Sequence, residues 1–158
     1  MIKHLIDLWV LKEYRIVVFN KAELFDPDDQ CFGGLISALY GLSKNNLHDP
    51  LFRFTTQNHQ YYLIERKGIL FVGRFARHKT IKEKIILKEL EYVGDKFFEC
   101  YSKEEIKDWD YDVNKFRDFK NIIRTKKEIL GEFIDNLWER RIPSGPVIQT
   151  SSTKECHI

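Results

Sequence analysis

Residues 2–20 read IKHLIDLWVLKEYRIVVFN, and their reading decides the fold. Val10, Ile16, Val17, Val18 and Phe19 supply the β-branched and aromatic side chains that suit a pleated surface, so strands are expected over 2–11 and 15–20. The short Lys12-Glu13-Tyr14 link makes them a hairpin. In the second strand apolar residues fill successive positions, the mark of burial on both faces. Such a sheet needs helices on both of its sides.

Working outward, residues 26–44 read DPDDQCFGGLISALYGLSK and carry a strong helix start. Asp26 can act as N-cap, Pro27 suits the first helical position, and Asp28 and Asp29 complement the positive end of the helix dipole. Phe32, Leu35, Ile36, Leu39 and Leu42 then fall at helical spacing. Gly34, Ser37, Ala38 and Gly41 form an adjoining small-residue stripe that would let the helix lie close to the sheet. The Cys-Phe-Gly-Gly run reads as packing rather than chemistry. A phosphate loop needs its glycines ahead of the helix with free backbone N–H groups, whereas Gly33 and Gly34 fall inside it. Cys31 has no nearby His or Lys to lower its pKa, so a buried or half-buried thiol is expected.

A dense turn signal at 45–50 precedes three strands, expected over 51–57, 60–66 and 69–76 and joined through Asn58-His59 and Lys67-Gly68 as a meander. Thr80-Ile81-Lys82-Glu83 matches a capping box for a helix reaching about Tyr101, with Ile81, Ile85, Leu90, Val93, Phe97 and Tyr101 on one face. Ser102-Lys103-Glu104-Glu105 repeats the pattern. After Trp109-Asp110-Tyr111-Asp112, Asp112 can cap a last helix carrying Val113, Phe116, Phe119, Ile122 and Ile123. The helical pattern continues through Ile129, Leu130, Phe133, Ile134, Leu137 and Trp138, as one long helix or two. Residues 142–158, with Pro143, Gly145, Pro146 and a Ser-Ser-Thr run, have no period and read as a flexible tail.

The chain has 158 residues, enough for one domain that buries roughly 70% of its unfolded surface. Lys and Arg number 26 against 24 Asp and Glu, a net charge of +2, far from the basic bias of a dedicated nucleic-acid binder. The basic runs at 74–84 and 124–127 sit beside Glu83 and Glu128 and read as solvated faces. Three cysteines without CxxC spacing suggest neither a disulfide framework nor a zinc site, which fits a reducing cytoplasmic compartment. No signal-peptide pattern and no transmembrane segment is expected.

The order β-β-α-β-β-β-α-α resembles the longin domain of the profilin-like longin/roadblock superfamily. The resemblance rests on the N-terminal hairpin, the FGGLISALYGLSK helix, the QYYLIERKGILFVGRF hairpin and WDYDVNKFRDFKNII. The roadblock relatives begin with a helix and this chain with a hairpin. The resemblance implies an α+β fold, a five-stranded antiparallel sheet with helices on both faces, over residues 1–124. A helical extension over 125–141 and the tail over 142–158 follow. Too few residues remain for a SNARE coil. Cys156 is third from the end, so the prenylation pattern fails.

Chemistry is hard to find. His4, His48, His59, His78 and His157 lie on separate elements, without metal-binding spacing. Counted from Asp108, the calcium-loop positions that want Gly and Glu hold Val113 and Phe119, so Asp108, Asp110, Asp112 and Asp118 read as caps and solvated acids. Phe71, Gly73, Arg74 and Phe75 loosely suggest a base-stacking face, which covering helices would hide. No enzyme, metal, cofactor or nucleic-acid site is expected.

The sequence therefore points to a non-catalytic interaction module. The resemblance implies small-GTPase regulation or vesicle trafficking, with small GTPases, another longin or roadblock protein, or a second copy as partners. Membrane association would be peripheral, through those partners. Two surfaces are candidates: the sheet edge with the first helix, and the apolar stripe of Ile129, Leu130, Phe133, Leu137 and Trp138, which either folds back on its own domain, the favoured expectation, or serves as a helix-in-groove ligand or dimer seam. The alternative is a small-molecule-sensing domain of PAS or profilin type, with a pocket between sheet and helix.

Overall fold

The structure is a computed structural model that describes residues 2–21, 29–112 and 114–141. Its first hairpin forms where the β-branched run demands it: β1 (Leu5–Lys12) pairs antiparallel with β2 (Ile16–Lys21), turning through Glu13 and Tyr14 at positive φ. The meander follows as β3 (Arg53–Thr55), β4 (His59–Arg66) and β5 (Ile69–Ala76). Between β4 and β5, Lys67 and Gly68 both take positive φ, the requirement of a two-residue hairpin turn that keeps the strand twist. The strand order is β2-β1-β5-β4-β3, with every pairing antiparallel. The fold class expected from the sequence is thus the one observed.

Both faces of the sheet are covered. On one, α1 (Asp29–Gly41) packs Ile36 and Tyr40 over Trp9, Leu11, Val17, Leu63, Leu70 and Val72. On the other, α2 (Glu83–Cys100) lays Ile86, Leu90, Val93 and Phe97 on Leu8, Val10, Val18, Phe71 and Phe75. Side chains alternate between the two clusters along β1 and β5, as the two-residue strand period requires. The α2 side is closed by Ile106 of α3 (Lys103–Lys107), Phe119 of α4 (Phe119–Ile122), and Trp109 and Phe116 from the intervening turns. α5 (Lys126–Arg141) is a separate helix, so the long periodic stretch is two helices. Between them Thr125 bridges in parallel to Ile2. The chain divides into two compact units between Lys126 and Lys127.

Several local expectations are corrected. α1 turns Gly33, Ile36 and Tyr40 to the sheet and leaves Leu35, Leu39 and Leu42 outside. Its close approach is made at Gly33, where an added Cβ would sit 2.6 Å from Val17 Cγ2; one at Gly34 or Gly41 would meet nothing within 4 Å. The helix starts at Asp26 and Pro27, and the tail, lie outside the described residues. A π-helical turn, Leu42–Asn46, prolongs α1, closed by Leu47 N–H on Leu42 O at 3.2 Å.

Thr80 does not cap α2: the N-cap is Lys82 without a side-chain bond, and Thr80 Oγ1 lies 2.7 Å from His78 Nδ1. Ile85 is 41% exposed, and Ile86 and Glu89 take the inward positions instead. Ser102 and Glu105 do form the expected capping box. Asp112 starts a turn rather than a helix, its Oδ1 accepting the Asn114 N–H at 2.9 Å. Ile122 is 43% exposed while Phe119 and Ile123 are buried.

Candidate functional site

Because Gly33 brings α1 down onto Val17, the opposite arc of that helix is left to solvent. Leu35 is 57% exposed, Leu39 41% and Leu42 54%. Burying a leucine completely is worth roughly 1.5–3 kcal/mol, so covering these half-exposed side chains would return about 1 kcal/mol each. Three large apolar groups on one helical face mark a surface suited to protein contact. α1 packs on β2, and β2 and β3 are the two edges of the sheet.

The end of this helix is fixed by a polar cluster. Glu65 of β4 accepts from Tyr40 Oη at 2.6 Å, from Lys44 Nζ at 2.6 Å and from Tyr14 Oη. Lys44 also donates to Tyr14 Oη at 2.9 Å and stands over the Tyr14 ring, 4.7 Å from its centroid. Burial works to raise the Glu65 pKa, but the hydrogen bonds from Lys44, Tyr14 and Tyr40 outweigh it and hold the carboxyl below its ordinary value. Burial and the Glu65 carboxylate raise the pKa values of Tyr40 and Tyr14. Bonding to Glu65 and Tyr14 raises that of Lys44. Neutral phenols around a charged pair clamp helix to strand, with no free nucleophile among them.

Two other charged groups have structural work. The buried Glu89 accepts the backbone N–H groups of Lys3, His4 and Leu5, and its Oε1 lies 2.7 Å from His4 Nδ1. It thereby satisfies donors at the entry to β1, from Lys3 and His4 ahead of the strand and from Leu5, its first residue. Asp7 and Arg74 form an ion pair across β1 and β5, with Asp7 1% exposed. Arg74 therefore does not belong to a solvated basic face.

The residues singled out in the sequence fall as follows. Ile129, Leu130, Phe133, Leu137 and Trp138 all lie on α5 and are between 43% and 62% exposed, as is Ile134. Cys31 is exposed rather than buried, and so is Cys100. Phe71 and Phe75 are fully buried, so the strand that carries them offers no rings for base stacking. Asp110 and Asp112 cap local turns. Among the described residues no group of three or more His, Cys, Asp or Glu is placed to hold a metal ion. No described helix is long and apolar enough to cross a membrane. The polar cluster around Glu65 had no local sequence signal, since its members come from a turn, a helix end and a strand.

No family model and no curated protein sequence matches this chain. Among solved structures it is similar to Myxococcus xanthus MglB, at 14% identity and a TM-score of 0.45, covering 61% of this chain and 85% of that one. At that level no residue role is carried over.

Proposed function

We propose that the chain is a non-catalytic protein-interaction module of longin type that binds small GTPases or components of trafficking complexes. The observation that carries this reading is the outward face formed by Leu35 and Leu39 of α1 with Leu42 of the π-helical turn that prolongs it, held beside an edge strand by the Gly33 contact and the Glu65 cluster. Rigid backing with an apolar front is the arrangement a docking surface needs. The non-catalytic part of the reading is supported by Glu65, Glu89 and Asp7, whose carboxylates are each engaged in joining one element to another. The longin resemblance supplies the class of partner, and a second copy could use the same face.

Binding of the purified chain to small GTPases, each loaded with GDP or with a non-hydrolysable GTP analogue, tests the reading. Nucleotide-dependent binding to at least one is expected. A folded chain that binds none in either state would overturn it.

A further inference from the structure

At the turn end of the sheet, away from the α1 face, the fold gathers four lysines around a groove that no local motif announces. Lys12 closes β1, Lys67 sits in the β4–β5 turn, and Lys103 and Lys107 lie four apart on α3. Ile69, Phe98 and Ile106 form the floor, and Glu13 is the acid at the rim. The groove lining itself holds four lysines against one glutamate, while Glu104 and Glu105 of α3 are not part of that lining. Lys12 Nζ donates to Lys107 O at 2.7 Å, which ties the α3 wall to the sheet while its charge stays at the groove. Lys67 Nζ stands 4.8 Å from the Phe98 ring centroid. Among the described residues no carboxylate forms an ion pair with Lys67, Lys103 or Lys107.

We infer that this groove binds an acidic peptide segment, with one apolar side chain of the peptide on the Ile69, Phe98 and Ile106 floor and its flanking carboxylates on the lysines. Size and chemistry choose this occupant. The cavity is about 150 Å³, well below the roughly 300 Å³ at which small-molecule sites begin. That is room for a single anchoring side chain. A bare anion would gain nothing from the apolar floor, and an apolar ligand alone would gain nothing from the lysine rim. An acidic peptide with one apolar anchor uses both. Nothing in this inference depends on the α1 face.

The test uses the full chain and labelled peptides in which a central phenylalanine or leucine is flanked on both sides by aspartate and glutamate, read by fluorescence anisotropy. Saturable binding is expected, weakening about tenfold or more when the central residue is alanine. It should weaken about two- to fivefold with Lys103→Ala or Lys107→Ala, and disappear with Lys103→Glu combined with Lys107→Glu. Thermal melts of the variants check that these exposed changes leave the fold intact. Three results would overturn the inference: no saturable binding of either peptide, equal binding of the alanine peptide, or unchanged affinity in the double variant. Displacement by inorganic phosphate as effective as that by unlabelled peptide would overturn it too, reducing the groove to an anion site.

Discussion

Gly33 and Gly34 are neighbours with opposite assignments. A methyl group on Gly33 would press on the stiff, β-branched Val17 in β2, while one on Gly34 would stand in open space. Gly33→Ala should therefore destabilise the protein by about 1–3 kcal/mol. Gly34→Ala should stabilise it by up to about 1 kcal/mol, because alanine is the better helix former. Paired urea denaturations read both signs. Glu89→Gln puts an amide donor among three backbone donors and should cost about 2–3 kcal/mol in the same assay. The Glu65 cluster adds a pH signature. Its carboxyl is held low, so that contribution is present above the ordinary carboxylate range and is lost as pH falls through the lowered value. Tyr14, Tyr40 and Lys44 are held high, so theirs is present below their ordinary values of 10.0 and 10.5 and is lost as pH rises through the raised ones. Glu65→Gln should flatten both limbs of the stability profile; unchanged limbs would show that the cluster does not couple folding to protons.

The elements whose identity could be read in advance are those fixed by neighbours in the chain. The Lys67-Gly68 turn needs only its own two residues, and the Ser102–Glu105 box closes within one helical turn. Both were legible. Thr80 was not, because His78 competes for its hydroxyl and the helix begins later, at Glu83. Ser102→Ala should thus cost about 1 kcal/mol, whereas Thr80→Ala should leave α2 unaffected. α1 shows a deeper limit. Ile36 belongs to two overlapping apolar arcs, one shared with Leu35, Leu39 and Leu42, the other with Gly33 and Tyr40. Periodicity favours the arc richer in leucine, yet the choice is made by how closely Gly33 can approach Val17, which lies on another element. The exposed leucine face follows from that contact. Leu35→Glu combined with Leu39→Glu should lower stability by about 1–2 kcal/mol and leave the protein folded, since each side chain is only about half buried and lies outside the core.

At the scale of the whole molecule, the five strands and the two covered faces follow from patterning that each segment carries by itself, whereas the strand order, which sets β1 beside β5, does not. Surfaces do not. The four-lysine groove and the Glu65 cluster draw on segments far apart in sequence, so only the completed fold reveals them. Docking of a protein partner on the outward face of α1 can be read in a single binding comparison. Binding to nucleotide-loaded small GTPases would be measured for the native chain, for Leu35→Glu with Leu39→Glu, and for Phe133→Ala with Trp138→Ala on α5. Nucleotide-dependent binding by the native chain is expected, with loss of that binding in the α1 variant at a temperature where its thermal melt shows it still folded. Binding that survives the α1 change, or that is lost only with the α5 change, would contradict it.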